Sequence, residues 1–252
     1  MYTKNLFRYF FGTGPGAIAQ KVILSPIFDP GRFCEGSEKR EAFKGLLYSG
    51  STVQAEGGRF SVIDCGIGSA LAGDAVIALG TVAKVEEILF TGTCGGLYSG
   101  AAAGDLVVPG SAFDGEGFSK YYDKDFDIEK MLRNGTTVKS DPVLTERLSG
   151  YLKKRTDIHE GALFTIGSLS AEKREHLEAL QKNGFKGVDM ELSAVYRAGE
   201  VSGIKTAAVL AVSDVPLLNR LGEKLALPEK KAYEKALKDI VKYSVGFIRE
   251  EI

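Results

Sequence analysis

Two carboxylates stand where acid–base work is done on a small molecule. Glu191 closes the stretch Val188-Asp189-Met190-Glu191 at a strand-to-helix junction, and Asp214 ends the apolar run Ala211-Val212-Ser213-Asp214. They are 23 residues apart, room for one helix and one strand, which brings both to the same edge of a sheet. An ionised carboxylate accepts hydrogen bonds from neighbouring sugar hydroxyls, and a second one with a raised pKa can hand a proton to a leaving group. Each residue also has a plainer use. Glu191 would serve as a first-turn acid favoured by the helix dipole, and Asp214 as a cap before Pro216.

Three glycine-rich turns supply further candidates. Cys65-Gly66-Ile67-Gly68-Ser69 follows a strand and opens a helix, where glycine lets the backbone approach a ligand and N–H groups favour an anion. Thr91-Gly92-Thr93-Cys94-Gly95-Gly96 offers two hydroxyls and several N–H groups to phosphate or sugar oxygens. Gly12-Thr13-Gly14-Pro15-Gly16 carries part of a dinucleotide-binding pattern. A strand rather than a long helix follows it, and the acidic residue due about 20 positions on in a βαβ unit is missing, so it reads as a turn.

The elements that must position these residues alternate. Strands are expected at Lys21–Ser25, Ser61–Asp64, Ile88–Thr93, Leu106–Val108, Leu163–Ile166 and Thr206–Ser213, all dense in Val, Ile, Leu and Thr. Helices are expected at Ala70–Val85, Pro142–Lys154, Ala171–Asn183, Glu191–Val201 and Glu229–Glu251. Asp141 before Pro142 reads as an N-cap with an N1 proline, and Asn183-Gly184 as a C-cap. The pattern predicts an α/β fold, a three-layer α/β/α sandwich around a central mixed sheet. The glycine stretches are short and no repeat or linker interrupts them, so residues 1–252 read as one domain. In such sheets ligands bind beyond the carboxyl ends of strands, where these turns lie.

Composition sets the outer limits. The 252 residues carry 32 basic and 33 acidic side chains for a net charge of −1, which removes the electrostatic reason to expect nucleic acid or a membrane surface as partner. No apolar run approaches the ~20 residues of a membrane span. Three scattered cysteines without a C-x-x-C, and two histidines without ligand spacing, predict neither a disulfide framework nor a metal site. Lys4 and Arg8 among the aromatics of Met1–Phe11 are unlike a secretory signal. A cytoplasmic protein is expected.

Together these stretches resemble the purine nucleoside phosphorylase/uridine phosphorylase family, which also holds the methylthioadenosine nucleosidases. The resemblance runs from about Val22 to the last helix. It is carried by Gly58 to Ile63 with Gly66-Ile67-Gly68, by Gly92 to Gly96 with Gly104-Asp105-Leu106-Val107-Val108, and above all by Val188 to Ala194 with Ser213-Asp214. It implies that Glu191 grips the ribose 2′ and 3′ hydroxyls with Met190 packed under the sugar. It implies too that Asp214, preceded by Ser213, protonates a purine ring nitrogen, with Val188, Leu169 and Gly95 around the base. Asp29-Pro30-Gly31-Arg32 is similar to the family's phosphate loop, which makes Arg32 a phosphate ligand, with Gly68 and Thr93 completing the phosphate and ribose contacts. Glu191 would be ionised and Asp214 protonated, their pKa values pushed apart.

The implied activity is phosphorolysis of a purine nucleoside to free base and ribose 1-phosphate, with inorganic phosphate as co-substrate and no metal or organic cofactor. The implied assembly is a homo-oligomer, a dimer or a trimer of dimers. Departures from the family pattern keep alternatives open. Phe90 stands where the phosphorylases have a second arginine, and Phe28 where their phosphate loop has glycine. Arg40 or Lys44 would have to compensate, from this or a neighbouring subunit. Leu169 replaces a base-facing aromatic, and Lys173-Arg174-Glu175 replaces the Gln-x-Arg clamp of uridine phosphorylases. Arg220 and Lys230 are the candidate cations beside Asp214. A nucleosidase using water, a uridine phosphorylase and a non-catalytic nucleoside-binding paralogue are the competing readings.

Overall fold

The computed structural model describes residues 2–34, 39–55, 58–218 and 225–250. The chain opens with α1 (Lys4–Phe11), β1 (Lys21–Ser25), β2 (Lys39–Lys44), β3 (Ser49–Ala55), β4 (Gly58–Asp64) and α2 (Ser69–Ala78). It continues through β5 (Glu87–Gly96), β6 (Leu106–Gly115), α3 (Ile128–Asn134), β7 (Thr137–Lys139), α4 (Pro142–Lys153) and β8 (His159–Ile166). It ends with α5 (Arg174–Lys182), β9 (Gly187–Asp189), α6 (Leu192–Ser202), β10 (Lys205–Asp214) and α7 (Leu227–Glu250). The expected caps form. Asp141 accepts from the Leu144 N–H at 2.8 Å, with Pro142 opening α4, and Gly184 after α5 has φ +84°.

The sheet is mixed and carries helices on both faces, as expected. Residue parity assigns the faces, because successive side chains of a strand point to opposite sides. Ala208, Leu210 and Val212 of β10 join Val22 and Leu24 of β1 in a core under α2 and α6. Ala207, Val209 and Ala211 join Ile23 in a core under α4 and α7. A third cluster, including Phe113, Phe164, Leu177 and Val188, seats α5.

β5 organises the site. One edge of it runs parallel to β10 for nearly its whole length. The other edge is divided: β1 pairs in parallel with Glu87–Phe90, and β9 pairs antiparallel with Gly95 and Gly96. Among the described strands, none pairs with Thr91–Cys94 on that second edge. Because β10 also pairs β6, β6 pairs β8 and β8 pairs β9, these strands and β5 close into a ring. From it β1, β4, β3 and β2 extend as an open sheet. The parting of β1 and β9 is a topological switch point, where α/β sheets bind ligands.

The β5–β9 pairing depends on close backbone approach. A Cβ on Gly187 would lie 2.5 Å from the Gly95 carbonyl oxygen, so only glycine fits without displacing backbone. Gly187→Ala is expected to destabilise the protein by about 1–3 kcal/mol through overpacking. At this chain length each kcal/mol lowers Tm by roughly 2–4 °C, and an unchanged thermal melt would show that the strand pair tolerates the methyl group.

Candidate active site

Glu191 and Asp214 face one cleft at the switch point. It is walled by Thr93, Cys94 and Gly95 of β5, by Val188 and Asp189 of β9 with Met190 and Glu191 after it, and by Ser213 and Asp214 of β10. Pro26 and Ile27 after β1, Ile67 after β4, and Leu169 with Glu172 after β8 complete the wall. Eight residues expected at the site therefore converge on this cleft: Asp214, Glu191, Met190, Thr93, Ser213, Val188, Leu169 and Gly95. Pro26, Ile27, Ile67, Cys94, Asp189 and Glu172 were not expected there. The connection after β4 is legible as a strand-end turn, but nothing in it or after β1 marks an apolar wall.

Asp214 is aimed by a local irregularity. The β10–β5 register slips between Val212 and Asp214, and such a bulge turns a side chain out of strict alternation. The carboxyl group is buried, and Ser213 donates its hydroxyl proton to Asp214 Oδ1 at 2.6 Å. Ser213 Oγ also lies 3.2 Å from the Cys94 carbonyl, which ties the pair to β5.

Glu191 sits at the N-cap position of α6, yet its side chain makes no cap hydrogen bond there. The Glu191 and Leu192 N–H groups donate instead to Asp189 Oδ2, at 2.8 and 2.5 Å, and the Ser193 N–H donates to Thr165 Oγ1 at 2.9 Å. The start of α6 is thus satisfied by β8 and β9, and the Glu191 side chain is not needed to cap it. Its carboxylate reaches across to the turn after β4 and accepts from the Gly68 N–H at 2.7 Å. Ser69 Oγ donates to the Met190 carbonyl at 2.7 Å, locking the same turn to the same segment. Gly68, with φ +111°, lines an adjoining hollow rather than the cleft, and its amide serves Glu191.

Burial, and then the negative charge of Asp189, pushes the Glu191 carboxyl up to about 8. Burial raises Asp189 to about 6, against three hydrogen bonds that favour its ionised form. Against the expected ionised Glu191, desolvation outweighs the Gly68 hydrogen bond and favours the protonated carboxyl.

The expected phosphate ligands fare differently. Asp29 Oδ1 accepts from the Gly31 N–H at 2.6 Å and the Arg32 N–H donates to the Asp29 carbonyl at 3.0 Å, so Asp29-Pro30-Gly31-Arg32 does form a tight turn. The turn directs Arg32 away, however. Its guanidinium lies 5.4 Å from the Phe28 ring centroid, and it lines a hollow against α7 with Phe33, Lys238 and Lys242. The expectation for Arg32 is corrected accordingly, since the aromatic ring that replaces a glycine offers it a cation–π contact outside the cleft. Phe90 is fully buried in the core under α2 and α6. Arg40 and Lys44 line a neighbouring hollow that shares Pro26 and Ile27 with the cleft, and Arg40 Nε donates to Ser51 Oγ at 2.9 Å. Among the described residues no lysine, arginine or histidine lines the cleft itself.

Of the cations considered for Asp214, Lys230 is directed to Glu234, 4.0 Å away on α7, and Arg220 lies outside the described residues. Arg174, at the place of the uridine clamp, pairs with Glu178 on its own helix at 2.8 Å. Gly12 caps α1 with φ +71°, so the first glycine stretch is the turn expected of it. Among the described residues no helix is long and apolar enough to cross a membrane.

A sequence profile of the phosphorylase superfamily matches residues 28–249. The guanosine phosphorylase of Halorubrum lacusprofundi is 27% identical over 73% of this chain and 74% of its own length. The DeoD-type purine nucleoside phosphorylase of Shewanella denitrificans is 24% identical over 86% of this chain and 89% of its own. In three dimensions the chain is similar to the uridine phosphorylase of Vibrio fischeri ES114, with a TM-score of 0.75, 19% identity, and coverage of 94% and 93% of the two chains.

Proposed function

The chain belongs to the phosphorylase superfamily, and from that premise we propose that it cleaves the N-glycosidic bond of a purine nucleoside by phosphorolysis. The observation that carries the proposal is the convergence of Glu191 and Asp214 on one cleft. Cleavage builds positive charge on the sugar and negative charge on the departing base. Glu191, releasing its proton to solvent as the sugar binds, holds two ribose hydroxyls and stabilises the first charge, while Met190 supports the ring. Asp214, held by Ser213, gives a proton to a ring nitrogen of the base and cancels the second. Val188, Leu169 and Gly95 form the apolar surroundings of the base, and Thr93 offers its hydroxyl to phosphate. A purine is favoured over uracil because an acid with a hydroxyl beside it faces the base, and Arg174 is spent on Glu178.

Phosphate needs a cation, and Arg40 or Lys44 of a second copy is the proposed source, which makes a homo-oligomer, a dimer or a trimer of dimers, part of this reading. No metal or organic cofactor enters it. Three buried free cysteines suit the cytoplasm. A second reading, hydrolysis by water, is favoured by the absence of a cation from the cleft lining among the described residues. The deciding experiment follows base release from inosine, adenosine and uridine with and without phosphate. Release from the purine nucleosides that depends on phosphate is expected. Release indifferent to phosphate establishes the nucleosidase reading, and tight nucleoside binding with no turnover would leave a binding protein.

A further inference from the structure

We propose that Asp189 is the positioning residue of the site: by capping the first amides of α6 it leaves the Glu191 carboxylate to face the sugar. The inference rests on the glycosidic-cleavage reading and adds to it a residue that does not itself touch substrate. Asp189 is only 4% exposed although it borders the cleft. Both of its oxygens are occupied by the protein. Oδ1 accepts the Thr165 hydroxyl proton at 2.8 Å, and Oδ2 accepts the Glu191 and Leu192 amides. Thr165 in turn accepts the Ser193 N–H, and Ser193 Oγ donates to Glu116 Oε1 at 2.7 Å.

A side chain at an N-cap normally takes the N–H of the second or third helical residue, here Ser193 or Ala194, and the Ser193 N–H is already given to Thr165 Oγ1. With Asp189 holding the Glu191 and Leu192 amides, the backbone at Glu191 stands at φ −134° and ψ −30°, and the longer side chain extends to Gly68. Asp189 also places a negative charge directly behind Glu191. The titratable groups that act on Glu191 most directly are Asp189 on β9 and Glu116 after β6, with Cys65 after β4, whose thiol burial keeps protonated, beside it and Asp214 and Glu172 on the same cleft wall. Asp189 therefore acts on Glu191 twice, through aim and through charge, and the two are separable by substitution.

Asp189→Asn keeps an acceptor for the two amides and deletes the charge, whereas Asp189→Ala deletes both. The alanine variant is expected to lose roughly 10–100-fold in kcat/KM, the effect of a lost orienting hydrogen-bond partner, and the asparagine variant to recover most of it. In Asp189→Asn the acid limb of the kcat/KM–pH profile should move to lower pH, because the neighbouring negative charge no longer opposes ionisation of Glu191. The same shift should appear in a carboxyl-13C NMR titration of Glu191, assigned with Glu191→Gln, which needs no turnover. A merely structural Asp189 would lower stability without moving that titration. An unmoved titration in Asp189→Asn overturns the proposal, as does a folded Asp189→Ala enzyme with wild-type kcat/KM. Absence of base release from wild-type protein would instead overturn the reading of function and leave the titration to decide.

Discussion

Glu191→Gln is expected to yield a protein that is nearly inactive and more stable than the parent. The activity loss follows from the charge that glutamine lacks. A hydrogen bond to an ionised group is worth about 1.5–3 kcal/mol, and two ribose hydroxyls are at stake, so kcat/KM should fall roughly 10²–10⁴-fold at 1.4 kcal/mol per decade. The stability gain follows from the raised carboxyl pKa. In the folded protein Glu191 holds its proton up to about pH 8, whereas unfolded it releases it near its ordinary value of 4.5. Between those values the folded state binds more protons than the unfolded one, so stability is fully present below the lower pH and falls as pH rises toward the upper. A shift of that size corresponds to stability on the order of 5 kcal/mol across the window. Glutamine keeps the shape and the acceptor for Gly68 without the titration. Its Tm should therefore stay flat where the parent's declines, and exceed it by several degrees at pH 8. The parent's kcat/KM should rise with pH along an acid limb close to 8 that the variant lacks. Parallel Tm–pH curves for the two proteins would show that Glu191 is not held neutral by its surroundings, and retained activity would remove it from the site.

Such a trade of stability for function has a visible cause in the chain. Glu191 and Asp214 are legible in sequence because one helix and one strand fill the space between them, and that spacing survives in α6 and β10. The apolar strands β1, β4, β8 and β10 are legible for a similar local reason: runs of Val, Ile and Leu are buried on both faces. β2 and β3 are not legible, since Lys39–Lys44 and Ser49–Ala55 are short of apolar residues and become strands only by pairing with each other and with β4. The extension of β5 through Gly95 and Gly96 reads as a strand exit, because glycine usually ends a strand. It continues here because Gly187 lets β9 come within backbone contact. Ring closure through β9 is a tertiary event of three residues and leaves no periodic trace. Arg32 shows the opposite failure. Its tetrapeptide resembles a phosphate loop, but the direction of the Arg32 side chain is decided by Phe28, a neighbour whose aromatic ring competes with any ligand for the guanidinium. Asp189 was in view and its use was not, since an acid closing a short strand says nothing about which amides will fold onto it.

Asp214→Asn separates proton donation from binding. Asparagine matches aspartate in size and can still face Ser213 and the base, so nucleoside affinity should stay within a few-fold of the parent. It has no proton to give, and loss of a positioned general acid lowers turnover by about 10²–10⁴-fold. The sharper test uses a purine nucleoside alkylated at a ring nitrogen, whose base is already cationic and departs without being protonated. If Asp214 acts as the acid, this substrate should be cleaved at similar rates by the parent and by Asp214→Asn, while the unmodified nucleoside distinguishes them by the full factor. Equal losses on both substrates would mean that Asp214 supports the cleft rather than the leaving group. Full activity of Asp214→Asn on the unmodified nucleoside would mean that the departing base takes its proton from another group, and the pairing of Asp214 with Glu191 would lose its chemical sense.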